Sequence, residues 1–477
     1  MATLGLIVGN RGFFPSELCE EGRKRVERIL HELAVETIAL TPEDTPYGTV
    51  ETYTEAKKCA ALFKANAHKI EGILVTLPNF GDERGVAEAI RLSGLNVPVL
   101  IHAFPDEIEK MSLVNRRDSF CGKMSVCNNL RQYNLPFSLT RQHTIAPEAE
   151  AFKADLLKFM AVCRVVNGLK KARFGQIGVR PANFTTVRYS EKILEKNGIS
   201  VEPFDLAEVL GQVDRVKAEE PRVQEKIKAL TNYASTTGID GAALTKMARF
   251  AVVLDSLIKE HEWDGTAIQC WTAMEEYFGV VPCAIMSMLS ELKNPSACEA
   301  DITGLIGMYS LMLASGRPSA LLDWNNNYGD DPDKAVVFHC SNLPQDIFGH
   351  EAVMDYQAIV AGTVGKKNTY GTLVGRIKPT NATYCRVSTD DLHGQVRAYV
   401  GEGEITDDSL DTFGGYGVIK IPRFQRLLHY ICENGFEHHV AISPGEVGAV
   451  INEAFTKYLK WDTYYHTSAQ AHVHEFS

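Results

Sequence analysis

The 477-residue chain lacks the signatures of several large protein classes. It has no Walker A segment, and Gly9-Asn10-Arg11-Gly12, which stands where a dinucleotide fingerprint would follow a first strand, does not read G-x-G-x-x-G. The glycine turn that lets a backbone approach a pyrophosphate is therefore missing, and with it the main support for a nucleotide site. No apolar run reaches the 18 or so residues needed to span a bilayer. The opening Met1-Ala2-Thr3-Leu4-Gly5-Leu6-Ile7-Val8-Gly9 has neither a basic start nor a long apolar centre, so it reads as a strand and not as a secretory signal. The 11 cysteines are scattered with no C-x-x-C pair, which argues against a zinc finger and against a disulfide framework. Reduced thiols in a cytoplasmic protein are the expectation. Positive charge is in deficit, with 49 Lys and Arg against 60 Asp and Glu and a formal net charge of −11. A nucleic-acid partner is not expected, because phosphate backbones demand a basic surface, and no membrane partner is expected either.

What is present is ordinary globular composition, 45% hydrophobic and 23% charged, in a chain long enough for about three domains. Residues 1–168 alternate apolar runs with helical patterns. Strands are expected at Leu4–Val8, Thr37–Leu40, Gly72–Thr76 and Val97–His102, with helices between them. That alternation predicts a parallel, doubly wound sheet. The pattern restarts at Phe174–Val179 and defines a second α/β domain over 169–345. Beyond that, short β-type runs such as Thr383–Val387 and Gln395–Val400, separated by Gly, Pro and Asp, predict a β-rich domain over 346–477, an antiparallel barrel or sandwich closed by terminal helices.

Candidate chemistry concentrates between residues 265 and 345. Cys298-Glu299-Ala300-Asp301 opens an apolar helix. One acid suffices to cap a helix, yet two stand here in apolar surroundings, and a buried carboxylate without a partner costs several kcal/mol or shifts its pKa. A cation would be a natural partner. Asp323 ends the apolar run Ala320-Leu321-Leu322, and His339 ends Val336-Val337-Phe338. A turn-initiating aspartate and a structural histidine are the plainer accounts of those two. His438-His439 enters a strand, and strict alternation would send the two imidazoles to opposite faces, so at most one should join a given site. Two oxygens and an imidazole nitrogen, with water or sugar hydroxyls, suit Mn²⁺ or another divalent cation better than a closed structural zinc. Arg11, after the first strand, could contact a hydroxylated ligand, although a surface ion pair is the simpler reading.

Together these residues resemble the superfamily of L-fucose and L-arabinose isomerases, and within it the fucose isomerase-like branch. The resemblance is carried by Cys298-Glu299-Ala300-Asp301, the spacing to Asp323, His339-Cys340, and the histidine pair ahead of Pro444-Gly445. It implies two Rossmann-like α/β domains followed by a β-rich barrel-like domain. It further implies a Mn²⁺ site formed by Glu299, Asp323 and His439, with Glu299 and Asp323 also serving as the acid/base pair. His339 would be an additional ligand or support one. Arg11, Gln269 and His438 would contact the sugar, with Arg11 reaching a neighbouring subunit of a homo-oligomer, a hexamer in this family. The implied activity is a sugar ketol isomerase passing through an enediol or enediolate. A non-catalytic sugar-binding protein and an NAD-dependent dehydrogenase are the competing readings. The sugar remains open between L-fucose, an arabinose and an anionic hexose, for which Arg11, Arg180, Arg188 and Lys420 could supply a cation.

Overall fold

A computed structural model describes residues 2–467. The chain divides into two compact units. One holds the residues up to Asn167 together with Lys457–Lys460, and the other holds the rest. Among the described residues no helix is long and apolar enough to cross a membrane.

The first unit is a five-stranded sheet built from β1 (Thr3–Val8), β2 (Glu36–Ala39), β3 (Gly72–Leu77), β4 (Val99–Ala103) and β5 (Ser138–Leu139), in the order β2-β1-β3-β4-β5. Every pairing is parallel. This is the doubly wound order with its switch point between β1 and β3. β1, β3 and β4 are buried along their whole length, which is why they read as continuous apolar runs and not as alternation.

The second unit contains two sheets. The smaller comprises β6 (Arg173–Ile177), β7 (Ser200–Phe204), β8 (Gly265–Ile268) and β9 (Ser296–Ala297), all parallel, in the order β7-β6-β8-β9. The larger has nine strands: β10 (Ala320–Asn327), β11 (Lys334–His339), β12 (Val353–Tyr356), β13 (Tyr370–Arg376), β14 (Thr380–Asp390), β15 (Gln395–Thr406), β16 (Gly415–Lys420), β17 (His439–Pro444) and β18 (Asp462–His466). The path β16-β11-β10-β17-β14-β15 closes on itself through an antiparallel β15–β16 pairing, so six strands form a barrel, with β12, β13 and β18 added outside the ring. Closure removes the exposed edges that such long strands would otherwise present. The barrel sheet begins at Ala320, so β10 and β11 enter it from the segment read in sequence as part of the second α/β domain.

The helix Ile302–Ser315 joins the two sheets of this unit. It packs on β14 and β17, and nearly every residue in it is buried. That explains its all-round hydrophobicity, since a helix apolar on every face belongs inside a core. Its Gly307 lies where a Cβ would come within 3.1 Å of the Cys385 carbonyl, so the close approach of helix to strand leaves little room for a side chain.

Candidate metal centre

Four side chains from four elements of the second unit meet at one end of the barrel. The antiparallel register sets Asp323 of β10 opposite both His439 of β17 and Phe338 of β11, which puts His339, the last residue of β11, beside them. Glu299 comes from the turn Cys298–Ala300 that links β9 to the buried helix. The Nε2 of His439 lies 3.4 Å from Asp323 Oδ1 and 3.9 Å from Glu299 Oε2. The Nε2 of His339 lies 3.6 Å from Glu299 Oε2. Asp323, His339 and His439 each turn one ligand-type atom into a group less than 4.8 Å across.

The two acids are held differently. Glu299 and Ala300 both have positive φ, 56° and 54°, which for non-glycine residues costs about 1–2 kcal/mol each. The Glu299 carboxylate stands at this kink. Its Oε1 accepts from Trp271 Nε1 at 3.0 Å and from the Cys270 thiol at 3.3 Å. Its Oε2 is buried with no hydrogen-bond donor, and the same is true of Asp323 Oδ1. Burial pushes the Asp323 carboxyl above its ordinary value, against the lowering influence of His339 and His439. Two unpartnered buried acceptors facing two imidazole nitrogens form a donor set that could hold a cation.

Behind His439 lies a buried ionic network. Its Nδ1 is 2.8 Å from Asp301 Oδ2, which leaves Nε2 free to face the two acids. Burial disfavours charge on this ring, but the hydrogen bond and charge of Asp301 outweigh it and raise the His439 pKa. Arg386, fully buried, donates from Nη1 and Nη2 to Asp301 at 2.6 and 3.2 Å, from Nη2 to Thr303 at 2.8 Å, and from Nε to Glu437 at 3.1 Å. Asp301 also caps the helix, its Oδ1 accepting from Gly304 N at 2.8 Å. A Cβ on residue 304 would fall 2.4 Å from Asp301 Oδ2 and 2.9 Å from Arg386 Nη1, so glycine is required there. A carboxylate holding the far nitrogen of a histidine fixes its tautomer and orientation, as in many metal sites.

Of the sequence candidates, Glu299, Asp323, His439 and His339 converge. The expectation that alternation separates His438 from His439 is overturned. β17 starts at His439, so His438 precedes the regular strand, and its ring centroid lies 4.7 Å from that of its neighbour. His438 Nε2 is 3.7 Å from Asp323 Oδ1, and the side chain is 45% exposed against 2% for His439. Phe184 packs edge-on against His438. Gln269 accepts from Val179 N at 3.0 Å and lines a cavity of about 860 Å³ together with Arg180, Arg188, Trp271, Tyr277 and Ala300. The cavity therefore opens beside the tryptophan that holds Glu299. Arg11 belongs to the first unit, where it is ion-paired with Glu83 and Asp82 and sits over the Phe80 ring, the surface pairing that was its simpler reading.

Residues 5–170 match the family described as fucose/sulfoquinovose isomerase, N-terminal domain, and residues 337–466 match L-fucose isomerase, C-terminal domain. The chain belongs to the L-fucose isomerase-like family. Among curated relatives, a sulfoquinovose isomerase of Priestia aryabhattai is 26% identical over 231 residues, covering 47% of this chain and 50% of that protein. One of Alkalicoccus urumqiensis is 24% identical, covering 70% and 74%, and one of Clostridium sp. (strain MSTE9) is 23% identical, covering 63% and 66%. The aligned stretch thus spans about half the length of the Priestia relative. The L-fucose isomerase C-terminal match begins at β11 and takes in His339 and His439, while Glu299 and Asp323 lie between the two matched segments.

Sequence reasoning missed Arg386, Glu437 and Trp271. Arg386 carried a signal, since it interrupts the apolar run Tyr384-Cys385-Arg386-Val387 of a central strand, and an arginine there needs buried carboxylates. Glu275 was also missed. It is buried, its Oε2 has no partner, and burial pushes its pKa up from 4.5 to about 8. A carboxyl raised in the folded state favours folding fully below pH 4.5, and that advantage is lost as pH rises toward 8. Glu275→Gln is therefore expected to change the melting temperature little at pH 5 and to raise it by several degrees at pH 9, as read by calorimetry across that range. An equal effect at both pH values would mean that the group is ionised throughout.

Proposed function

We propose that this chain is a metal-dependent aldose–ketose isomerase whose cation is held by Glu299, Asp323, His439 and His339, with Mn²⁺ as the natural occupant. The observation that carries this reading is the meeting of two donorless buried carboxylate oxygens with two imidazole nitrogens from four separate elements. A mixed oxygen and nitrogen donor set suits Mn²⁺, and the cavity beside it leaves positions for sugar hydroxyls. When bound, the cation supplies charge stabilisation to the oxygens of C1 and C2.

The protein groups do the remaining work. Moving a carbonyl between C1 and C2 requires removing a weakly acidic carbon-bound proton and returning it to the neighbouring carbon. Glu299 and Asp323 serve as the pair, one exchanging the carbon proton and the other the hydroxyl proton. Burial raises the Asp323 carboxyl above its ordinary value, against the lowering influence of the nearby imidazoles, and so favours its taking up a proton. Asp301 and Arg386 hold His439 in place, Trp271 orients Glu299, and Phe184 covers the histidine pair. Gln269 and His438 are assigned to the sugar. A homo-oligomer in the cytoplasm, with Arg11 contributing to a neighbouring copy's site, belongs to the same reading.

The relatives named sulfoquinovose isomerase favour a sulfonated hexose, and Arg180 and Arg188 line the cavity with no carboxylate pairing among the described residues. The test is a panel of sulfoquinovose, L-fucose, D-arabinose and L-arabinose assayed for ketose formation with and without Mn²⁺. Conversion is expected for at least one sugar, abolished by a chelator and restored by Mn²⁺. Sugar binding with no conversion by the metal-loaded protein would favour the non-catalytic reading. The absent glycine fingerprint already weighs against a dehydrogenase.

A further inference from the structure

Cys298 and Cys340 stand immediately beside two members of the centre just described, Glu299 and His339. They belong to a group of four buried or half-buried thiols from four elements. Cys270 follows β8, Cys283 opens the helix Cys283–Glu291, Cys298 starts the kinked turn, and Cys340 follows β11. Cys270 Sγ donates to Glu299 Oε1 at 3.3 Å. Cys340 Sγ is 3.4 Å from His339 Nδ1. One donor atom each from Cys298, Glu299, His339 and Cys340 falls within a group less than 4.8 Å across, so small side-chain movements would bring all four onto one ion. Apolar packing alone would be served by alanine or valine at these positions, whereas a sulfur pair, an imidazole and a carboxylate form a soft donor set.

We propose that Cys298, Cys340, His339 and Glu299 form a second cation site, selective for thiophilic divalent ions such as Zn²⁺ or Cd²⁺. Thiolate sulfur binds these ions far more strongly than it binds Mn²⁺, and zinc already leads manganese for nitrogen and oxygen donors. Binding replaces the two thiol protons, which pass to solvent, by two metal–sulfur bonds. The site shares Glu299 and His339 with the oxygen and nitrogen centre but not Asp323 or His439. A soft ion seated on the sulfur side thus withdraws two side chains from the other set. This does not depend on what reaction the chain performs.

The metal-free full-length chain titrated with Cd²⁺ tests it, read by near-ultraviolet thiolate-to-cadmium charge-transfer absorption. The expected result is a band that saturates at one ion per chain, persists in Asp323→Asn, and persists when the exposed Cys121 and Cys432 are both changed to Ser. It is expected to vanish in the Cys298→Ser/Cys340→Ser double variant and to lose about half its intensity in Cys340→Ser alone. The single variant changes only a half-buried residue and guards against misfolding of the double one. Absence of the band in the parent chain, its loss in Asp323→Asn, or its survival at full intensity in Cys340→Ser would each overturn the assignment.

Discussion

Glu299→Gln is expected to lower isomerase turnover by at least about 10³-fold while leaving the melting temperature equal to or above that of the parent chain. The activity loss combines removal of an acid/base group, worth about 10²–10⁴-fold, with damage to the cation site. The geometry makes the damage specific. Trp271 Nε1 and the Cys270 thiol donate to one oxygen of Glu299, so a glutamine would present its carbonyl to them. Its NH₂ would then replace Oε2, the atom facing His339 and His439, and an N–H donor repels a cation where a lone pair attracted it. Stability should not fall, because the variant removes a buried charge whose outer oxygen has no partner. Steady-state kinetics with metal analysis would check this. Activity within tenfold of the parent in a fully metal-loaded variant would sink the proposed role.

Arg386→Met should destabilise the second unit by about 3–5 kcal/mol, the usual cost of leaving a buried charge unpaired. Here one guanidinium neutralises two buried carboxylates, Asp301 and Glu437, and Ser388 gives the latter only one further hydrogen bond. Lysine would not substitute well, since the contact to Asp301 uses two guanidinium nitrogens. The effect has a pH signature. Burial works to raise the Asp301 carboxyl, but Arg386 and His439 outweigh it and hold it well below its ordinary 3.8. A depressed carboxyl stabilises the fold above its unfolded pKa and loses that contribution as pH falls. The difference between parent and variant should therefore be full at pH 7 and shrink below about pH 4. Urea midpoints at several pH values would measure it, and a pH-independent gap would point to lost packing instead. The variant should also loosen His439, because Asp301 is the group that fixes its ring.

Both predictions rest on residues of unequal legibility. Glu299, Asp323, His339 and His439 were visible as polar residues placed where apolar runs end, since ending a buried strand or opening a buried helix with a charge is costly without a purpose. The alternation of β1 to β4 with helices was legible because strands buried on both faces leave unbroken apolar segments. The placing of His438 and His439 on opposite faces failed because β17 begins one residue later than the apolar pattern implied, and the alternation rule holds only inside a regular strand. Asp301 read simply as a helix cap, which it is. Its second role depends on β14 and β17 packing against that helix, contacts that no local pattern reports.

The sequence by itself determined the class of elements, the absence of a glycine-rich phosphate cradle, and the residue types able to bind a hard cation, because periodicity and burial cost are local properties of the chain. Only the tertiary structure decided that β15 meets β16 to close a barrel, that Asp323 faces His439 across a strand pair, and that a buried arginine stands behind them. Those outcomes depend on register and on contacts between distant segments, whose energies exist only once the chain has folded.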